Sequence, residues 1–215
     1  FALTRMPTAG AGAPEVWGAI LIGLAALVLF WRNEHRVAAP ITPPALFNRA
    51  FTGLNLLTLA LYFTLSGALF LVPYLLISVE GLSAAQTGLA MLPLGLVIGI
   101  GSRLFGRLSD EHGRRPFLIA GPVVVAAGYL VLAARPDMPG TVAGIIVVAA
   151  GMSLVVAPLT TAVMNAIPDS EAGSASGVNN AVARIAGLIA VAAVGALGVW
   201  IFTATLGPAL TARGA

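Results

Sequence analysis

The chain has 215 residues, of which 59% are hydrophobic and only 9% are charged, with a net charge of +3. Soluble domains carry about 25% charged residues, so this composition predicts a protein that has lipid as its solvent. All eleven basic residues are arginines that form no stripe with interleaved aromatics, which excludes nucleic-acid binding, and the lack of cysteine excludes disulfides and thiolate chemistry.

Six apolar segments approach or exceed the ~20 residues that a helix needs to cross a hydrocarbon core of about 30 Å. In chain order they are residues 16–31, 54–79, 84–102, 117–134, 141–167 and 178–202. Lipid admits only helices and closed barrels, and these uninterrupted runs are longer than barrel strands. The sequence therefore predicts an all-α polytopic membrane protein, a helical bundle with about six transmembrane helices.

Local signals mark the turns between these spans. Ser83 and Gln86 have the spacing of a capping box, which predicts the start of the third span. Proline and glycine separate the fourth span from the fifth at 136–140, and the fifth from the sixth at 168–173. A proline-rich stretch at 40–44 predicts the boundary between residues 1–44, with one linker helix, and residues 45–215.

The distribution of arginines predicts the orientation in the membrane. Seven lie on turns of one side and three on the other: Arg32, Arg36, Arg49, Arg103, Arg107, Arg114 and Arg115 against Arg5, Arg135 and Arg213. The positive-inside rule therefore places the turn at 103–116 in the cytoplasm and both chain ends outside. Because the chain also starts with Phe1, we expect an internal piece of a longer protein.

One charged turn and three further motifs carry a resemblance to a known family. The segment Gly106-Arg107-Leu-Ser-Asp110-Glu-His-Gly113-Arg114-Arg115 resembles the major facilitator superfamily signature, G-x-L-(S/A)-D-x-x-G-R-(R/K). Segments 46–51 and 157–165, and segment 172–180 followed by Arg184, are similar to the 14-helix drug:proton antiporter branch. One departure is that residues 184–188 read Arg-Ile-Ala-Gly-Leu, without the polar glutamine of that branch.

The resemblance covers residues 16–208 and implies both a fold and a function. The spans would be helices eight to thirteen, so residues 45–215 would form a carboxyl-terminal transporter half that lacks its last helix. The protein would be part of a proton-coupled secondary transporter that exports drugs or other small hydrophobic molecules by alternating access across a bacterial inner membrane. Its partners would be the lipid bilayer, the substrate, the missing amino-terminal half and, through that half, protons; no cofactor is implied.

Two alternatives to a complete exporter stay open on the sequence. In the first alternative, the chain is a membrane scaffold or interaction subunit, a split half that pairs with another chain and has no transport activity of its own. An enzyme is disfavoured, because no nucleotide, zinc-protease or nucleophile-elbow motif occurs. No carboxylate lies inside a predicted span, so residues 1–215 alone are not expected to drive proton-coupled transport.

Six residues of the charged turn are predicted to act in gating. Gly113 is expected to adopt a positive φ, and Gly106 to allow close approach of the two flanking helices. Asp110 is expected to pair with an arginine or to accept hydrogen bonds from the amino-terminal amides of the next span. Contacts that exist in only one access state would set the gating equilibrium. The other predicted gating residues are Arg107, Arg114 and Arg115. The alternative is a positive-inside anchor without a moving role.

Polar side chains inside the spans predict a substrate cavity. Asn55, Thr58, Tyr62 and Ser66 form a stripe on the second span; Ser153, Thr161 and Asn165 share a face of the fifth; Asn180, Arg184 and Gly187 share a face of the sixth. The cavity candidates are Asn55, Tyr62, Asn165, Asn180 and Arg184, although such groups also hold helices together at about 0.6 kcal/mol each. Arg184 lies about six residues past the predicted helix start, so it either marks function or snorkels to the surface.

Overall fold

The computed structural model describes residues 10, 12–34, 36–37, 40 and 42–213, but not the side chains of residues 45 and 202–213. Its six α-helices are α1 Pro14–Glu34, α2 Arg49–Ser78, α3 Ala84–His112, α4 Arg115–Ala134, α5 Met138–Asn165 and α6 Ala172–Arg213. Short 3-10 turns, Pro44–Leu46 and Asp169–Glu171, precede α2 and α6. Arg5 and the side chain of Arg213, both used in the orientation argument, lie outside this description.

All six helices are long and apolar enough to cross a membrane, with mean hydropathy from 1.7 to 2.4 in their most apolar windows. This confirms the predicted all-α membrane bundle of six spans. Ser83 begins α3 as predicted, because its side chain and Gln86 form both hydrogen bonds of a capping box. Asn48 begins α2 in a similar way and accepts a hydrogen bond from the Phe51 amide at 2.9 Å.

The structure corrects the predicted end of α3 and the predicted start of α6. Helix α3 was expected to end at residue 102 but continues to His112, so only Gly113 and Arg114 separate it from α4. The charged residues of this segment are compatible with a helix, and Gly113 is the first residue that breaks it, with φ 84°. Helix α6 begins at Ala172 and not at 178, because its small residues continue the helix towards the 3-10 turn.

Helix α5 lies at the centre of the packing, with α4 against one of its faces and α3 against another. Glycines bring α4 close: a Cβ added at Gly151 would lie 2.5 Å from the Val125 backbone nitrogen. On the α3 side, a Cβ at Gly101 would lie 2.7 Å from Ser153, whose hydroxyl donates to the Val97 carbonyl at 2.7 Å. Small residues thus set the helix separation, as in other membrane bundles.

Helices α2 and α6 pack on each other as a second group and meet the α3–α4–α5 group mainly through buried apolar side chains of α2 and α5. In the described part of the chain, α3 and α4 share no extensive interface, although Phe105 and Phe117 touch at a ring separation of 6.3 Å. Helix α1 makes no extensive contact with the other described helices. We call the end of the bundle that holds residues 103–116 the signature end.

Candidate functional site

Arg114 joins the charged turn to the end of α5. With the Asn165 amide oriented so that its oxygen faces the guanidinium, that oxygen accepts hydrogen bonds from Arg114 Nη1 and Nη2 at 2.7 and 2.9 Å. Arg114 immediately precedes α4, and Asn165 is the last residue of α5. Two residues that the sequence assigned to different functions, gate and cavity, are therefore in direct contact.

A second contact at the signature end joins α2 to α5. The Asn48 side chain donates from Nδ2 to the Ala166 carbonyl at 2.8 Å, while its Oδ1 caps α2. Ala166 follows Asn165 directly, so the end of α5 is held from α2 and from the start of α4. Asn48 was not among the predicted site residues. An asparagine directly before Arg49 and the apolar run of α2 is nevertheless a helix-cap signal.

Two glycines of the signature shape the turn. Gly113 has the predicted positive φ, 84°, a conformation in which a side chain is strained. Gly106 allows close packing as predicted, but its neighbour is different: a Cβ there would lie 3.3 Å from the Ala157 Cβ on α5. The expectation that Gly106 brings the two flanking helices together is wrong, because each of them packs on α5.

The remaining charged groups of the signature point away from the packed helices. Arg107, Asp110 and Arg115 are exposed, and so is Arg103 one turn earlier on α3. Within the described part of the chain, the Asp110 carboxylate forms no ion pair or hydrogen bond, so neither predicted partner is found there. These groups are free to contact a different part of the protein.

A buried polar cluster joins α2 to α6. Asn179 donates from Nδ2 to Asn55 Oδ1 at 3.1 Å and to Thr58 Oγ1 at 2.9 Å. Asn55 also donates to the Phe51 carbonyl at 2.9 Å, and only 8% of its surface is exposed. The hydrogen-bonding groups of Asn55 are therefore engaged within the helix pair. Further along the interface between α2 and α6, a Cβ added at Gly187 would lie 3.0 Å from Ser66 Oγ. Tyr62 lies on α2 between the Asn179 contact and the Gly187 contact and is half-buried.

Asn179 was missed by the sequence reasoning, which selected its neighbour Asn180. The sequence held no signal that separates the two, because it is the structure that shows Asn179 in helical register with the fully buried Ala175, Ala186 and Ala190. Asn180 and Arg184 lie on a different face of α6 and are exposed. The two adjacent asparagines thus differ in surroundings: one is bonded to α2, and the other faces outward.

A cavity lies between α2, α4, α5 and α6, near the ends of α2 and α4 that are remote from the signature. Its volume is about 740 Å³, its walls are mostly apolar, and Thr64, Tyr129 and Thr141 contribute polar groups. None of the five predicted cavity residues lines it. Glu80 and Asp137 lie at its border. Among the described residues, no group of three or more histidines and acids is placed to hold a metal ion.

Comparison with known proteins gives matches over most of the chain. The family model described as Major Facilitator Superfamily matches residues 15–191. The multidrug transporter protein MdtP of Bacillus subtilis is 30% identical over 187 residues, which are 85% of this chain and 35% of that protein.

Two further relatives extend the comparison. The multidrug resistance protein Stp of Mycobacterium tuberculosis is 32% identical over 186 residues, 85% of this chain and 34% of its own length. A methylenomycin A resistance protein of Streptomyces coelicolor is 30% identical over 202 residues, 91% of this chain and 42% of its own. The chain thus spans about a third to two-fifths of the length of these curated relatives.

Proposed function

This chain belongs to the major facilitator superfamily, and we propose that it is the carboxyl-terminal part of a transporter that exports small hydrophobic molecules, drugs among them, from a bacterial cell. The observation that carries the proposal is the similarity to the multidrug transporter protein MdtP over 85% of the chain. A resistance protein named for the antibiotic methylenomycin A has similar coverage, 91%. Six apolar helices that suit a bilayer support the same function.

We propose alternating access because the charged residues at the signature end differ in their contacts. Arg114 is bound to Asn165 and so moves with α5, whereas Arg107, Asp110 and Arg115 are exposed. Exposed charges on a rigid support suit a contact that forms in one access state and breaks in the other. A difference of about 1–3 kcal/mol between the states is enough to shift their populations five- to 150-fold.

Proton coupling is part of the proposal, with the coupling acid outside the described helices. Every acid that the structure describes lies in the first or last turn of a helix or between helices: Glu15, Glu34, Glu80, Asp110, Glu111, Asp137, Asp169 and Glu171. A proton carrier in a membrane transporter is an embedded carboxylate whose protonation is governed by burial and neighbouring charge. We therefore place it in the amino-terminal half, which would close the substrate pathway against α5 and α6.

Within this chain, we assign Asn180 and Arg184 to the wall of that pathway. Both are exposed on α6, whereas Asn55 and Tyr62 lie along the seam between α2 and α6 and keep those helices aligned behind the wall. Asn165 belongs to the signature end through its bond to Arg114. The predicted cavity residues thus divide into pathway, support and gate.

The test uses the complete reading frame that contains residues 1–215. Everted membrane vesicles from bacteria that lack their main efflux pumps are energised so that their interior becomes acidic, and ethidium uptake is followed by fluorescence. We expect uptake several-fold above vesicles with empty vector, and its loss when nigericin collapses the pH gradient. Uptake equal to the empty-vector level contradicts the exporter, and uptake that survives nigericin contradicts proton coupling.

A further inference from the structure

One face of α6 is turned away from every described helix. It consists of Gly173, Gly177, Asn180, Ala181 and Arg184, all exposed, and we call it the open face of α6. These residues have helical spacing, and a Cβ added at Gly173 or Gly177 would meet no atom within 4 Å. A different face of α6 packs on α2 through the Asn179 cluster.

Arg184 lies deep within the span. It is twelve residues past Ala172, about 18 Å along the helix axis at 1.5 Å per residue. Arg103, the next most interior charge in the described helices, is nine residues from the end of α3, about 13 Å. Because Ala172 and not residue 178 begins the helix, Arg184 is farther from the start of its helix than the sequence indicated.

No other described residue neutralises this guanidinium. Arg184 makes no ion pair or hydrogen bond within the described part of the chain. Helix α5 contributes no titratable side chain, and Asp169 and Glu171 are thirteen or more residues earlier, at the signature end. Of the titratable groups on α2, which are Arg49, Tyr62 and Tyr74, only Tyr62 is level with Arg184, between the Asn179 and Gly187 contacts. Charges inside a membrane span are typically paired or face a water-filled path, and they mark functional sites.

We infer that Arg184 and Asn180 form a carboxylate-binding site on the open face of α6. A guanidinium presents two parallel N–H groups that match the two oxygens of a carboxylate, and the Asn180 amide, one turn earlier, adds a further donor. Gly177 and Ala181 leave space beside these donors for a planar group. The inference rests on the proposed function in that it takes this face to border the transport pathway.

Two sources would supply the carboxylate, and they share the same chemistry. It belongs either to the transported molecule or to an acid in a part of the protein outside these residues. Phospholipid phosphate is disfavoured, because Arg184 is about 18 Å from the start of its helix.

The experiment uses the complete protein purified in lipid nanodiscs, as wild type, R184Q, R184K and N180A. R103Q, which removes an exposed arginine of α3, is the matched control. Fluorescein, which carries a carboxylate, is the binding probe, with anisotropy as the readout. If the substrate supplies the carboxylate, we expect R184Q to weaken fluorescein binding at least tenfold, with R184K and N180A weakening it about threefold and R103Q less than twofold.

The second arm measures the apparent unfolding temperature of the same variants between pH 2 and pH 8, without probe. An acid of the protein that pairs with Arg184 has a lowered pKa in the folded state, so its stabilisation is present at high pH and is lost as pH falls through that lowered pKa. If the protein supplies the carboxylate, R184Q unfolds several degrees below wild type at pH 7.5, and the difference shrinks as pH falls from about 4 towards 2. R103Q should show no such pH dependence.

Either pattern supports the site, and their joint absence overturns it. If R184Q matches R103Q in both measurements, Arg184 is a surface anchor and binds no carboxylate. If R184Q does not purify as a monodisperse protein, R184K is used in its place, because it keeps the charge but lacks the planar guanidinium. If R184K then equals wild type in both measurements, the proposal is contradicted. Ethidium uptake by wild type is scored separately, so a failure of the exporter is distinguishable from a failure of the site.

Discussion

At the scale of single residues, the contact between Arg114 and Asn165 determines how the charged turn is supported. The guanidinium donates two hydrogen bonds to one amide oxygen at 2.7 and 2.9 Å. Hydrogen bonds to a charged group contribute about 1.5–3 kcal/mol, more than those between neutral groups. Because the acceptor is an amide, it carries no charge that a change of pH would remove.

A double-mutant cycle tests this contact. We expect R114A and N165A to be non-additive in the free energy of unfolding of the complete protein, with a coupling of about 1–2 kcal/mol, because either substitution alone already breaks both hydrogen bonds. N180A is the matched control, since it removes an exposed asparagine of α6, a helix that takes no part in this contact. Additivity of R114A and N165A within about 0.3 kcal/mol would refute the contact.

At the scale of helices, the seam between α4 and α5 depends on glycine. A Cβ at Gly151 would lie 2.5 Å from the Val125 backbone nitrogen and 2.9 Å from the Gly121 carbonyl oxygen. Both neighbours are backbone atoms, which cannot rotate away as a long side chain can. The two helices would therefore have to separate to admit even one methyl group.

Gly151→Ala is expected to destabilise the complete protein by about 1–3 kcal/mol, the usual cost of overpacking. Gly99→Ala is the control within another helix, because nothing lies within 4 Å of the added Cβ; it should be neutral or slightly stabilising. Unfolding free energies of purified variants give the measurement. Equal values for the two variants would show that the α4–α5 seam is not tightly packed.

The cluster between α2 and α6 yields a separate prediction. Asn179→Ala removes two hydrogen bonds and leaves Asn55 and Thr58 without their donor, whereas Asn180→Ala removes an exposed amide. Interhelical hydrogen bonds in membranes average about 0.6 kcal/mol with a maximum of about 1.7, so we expect a loss in that range for N179A alone. A larger loss for N180A would reverse the assignment of the two asparagines.

The sequence predicted the spans well and the faces of the helices less well. All six spans follow from apolar runs, and the Ser83 cap and the positive φ of Gly113 follow from local chemistry. The choice between Asn179 and Asn180 depends on helical phase relative to a neighbour, which one sequence does not contain. The same limitation explains why Gly106 was assigned to the wrong neighbouring helix, since α5 is distant in sequence.

At the scale of the whole molecule, the helices fall into an α3–α4–α5 group and an α2–α6 group. At the signature end, Arg114–Asn165 ties α4 to α5 within the first group, and Asn48–Ala166 joins α2 of the second group to α5. The exposed charges of the turn lie on this fixed base. Such a unit would move as one body against the rest of a longer transporter.

Residues 1–215 alone are expected to be inactive in coupled transport. Their described acids all lie at helix ends, so no embedded carboxylate is present there to carry a proton. Proteoliposomes that contain only this chain should show no ethidium movement driven by an imposed pH gradient, while the complete protein should. Gradient-driven movement by the chain alone would contradict the assignment of coupling to the other half.

The central claim is that these helices cross a bilayer with the signature end inside the cell, and single cysteines test it directly. Glu111→Cys at the signature end and Glu80→Cys at the opposite end are a matched pair, because both side chains are exposed and the chain has no cysteine of its own. A membrane-impermeant maleimide is applied to intact cells that express the complete protein without other cysteines. We expect labelling at position 80 at once and at position 111 only after the membrane is permeabilised; labelling at position 111 in intact cells would contradict the account.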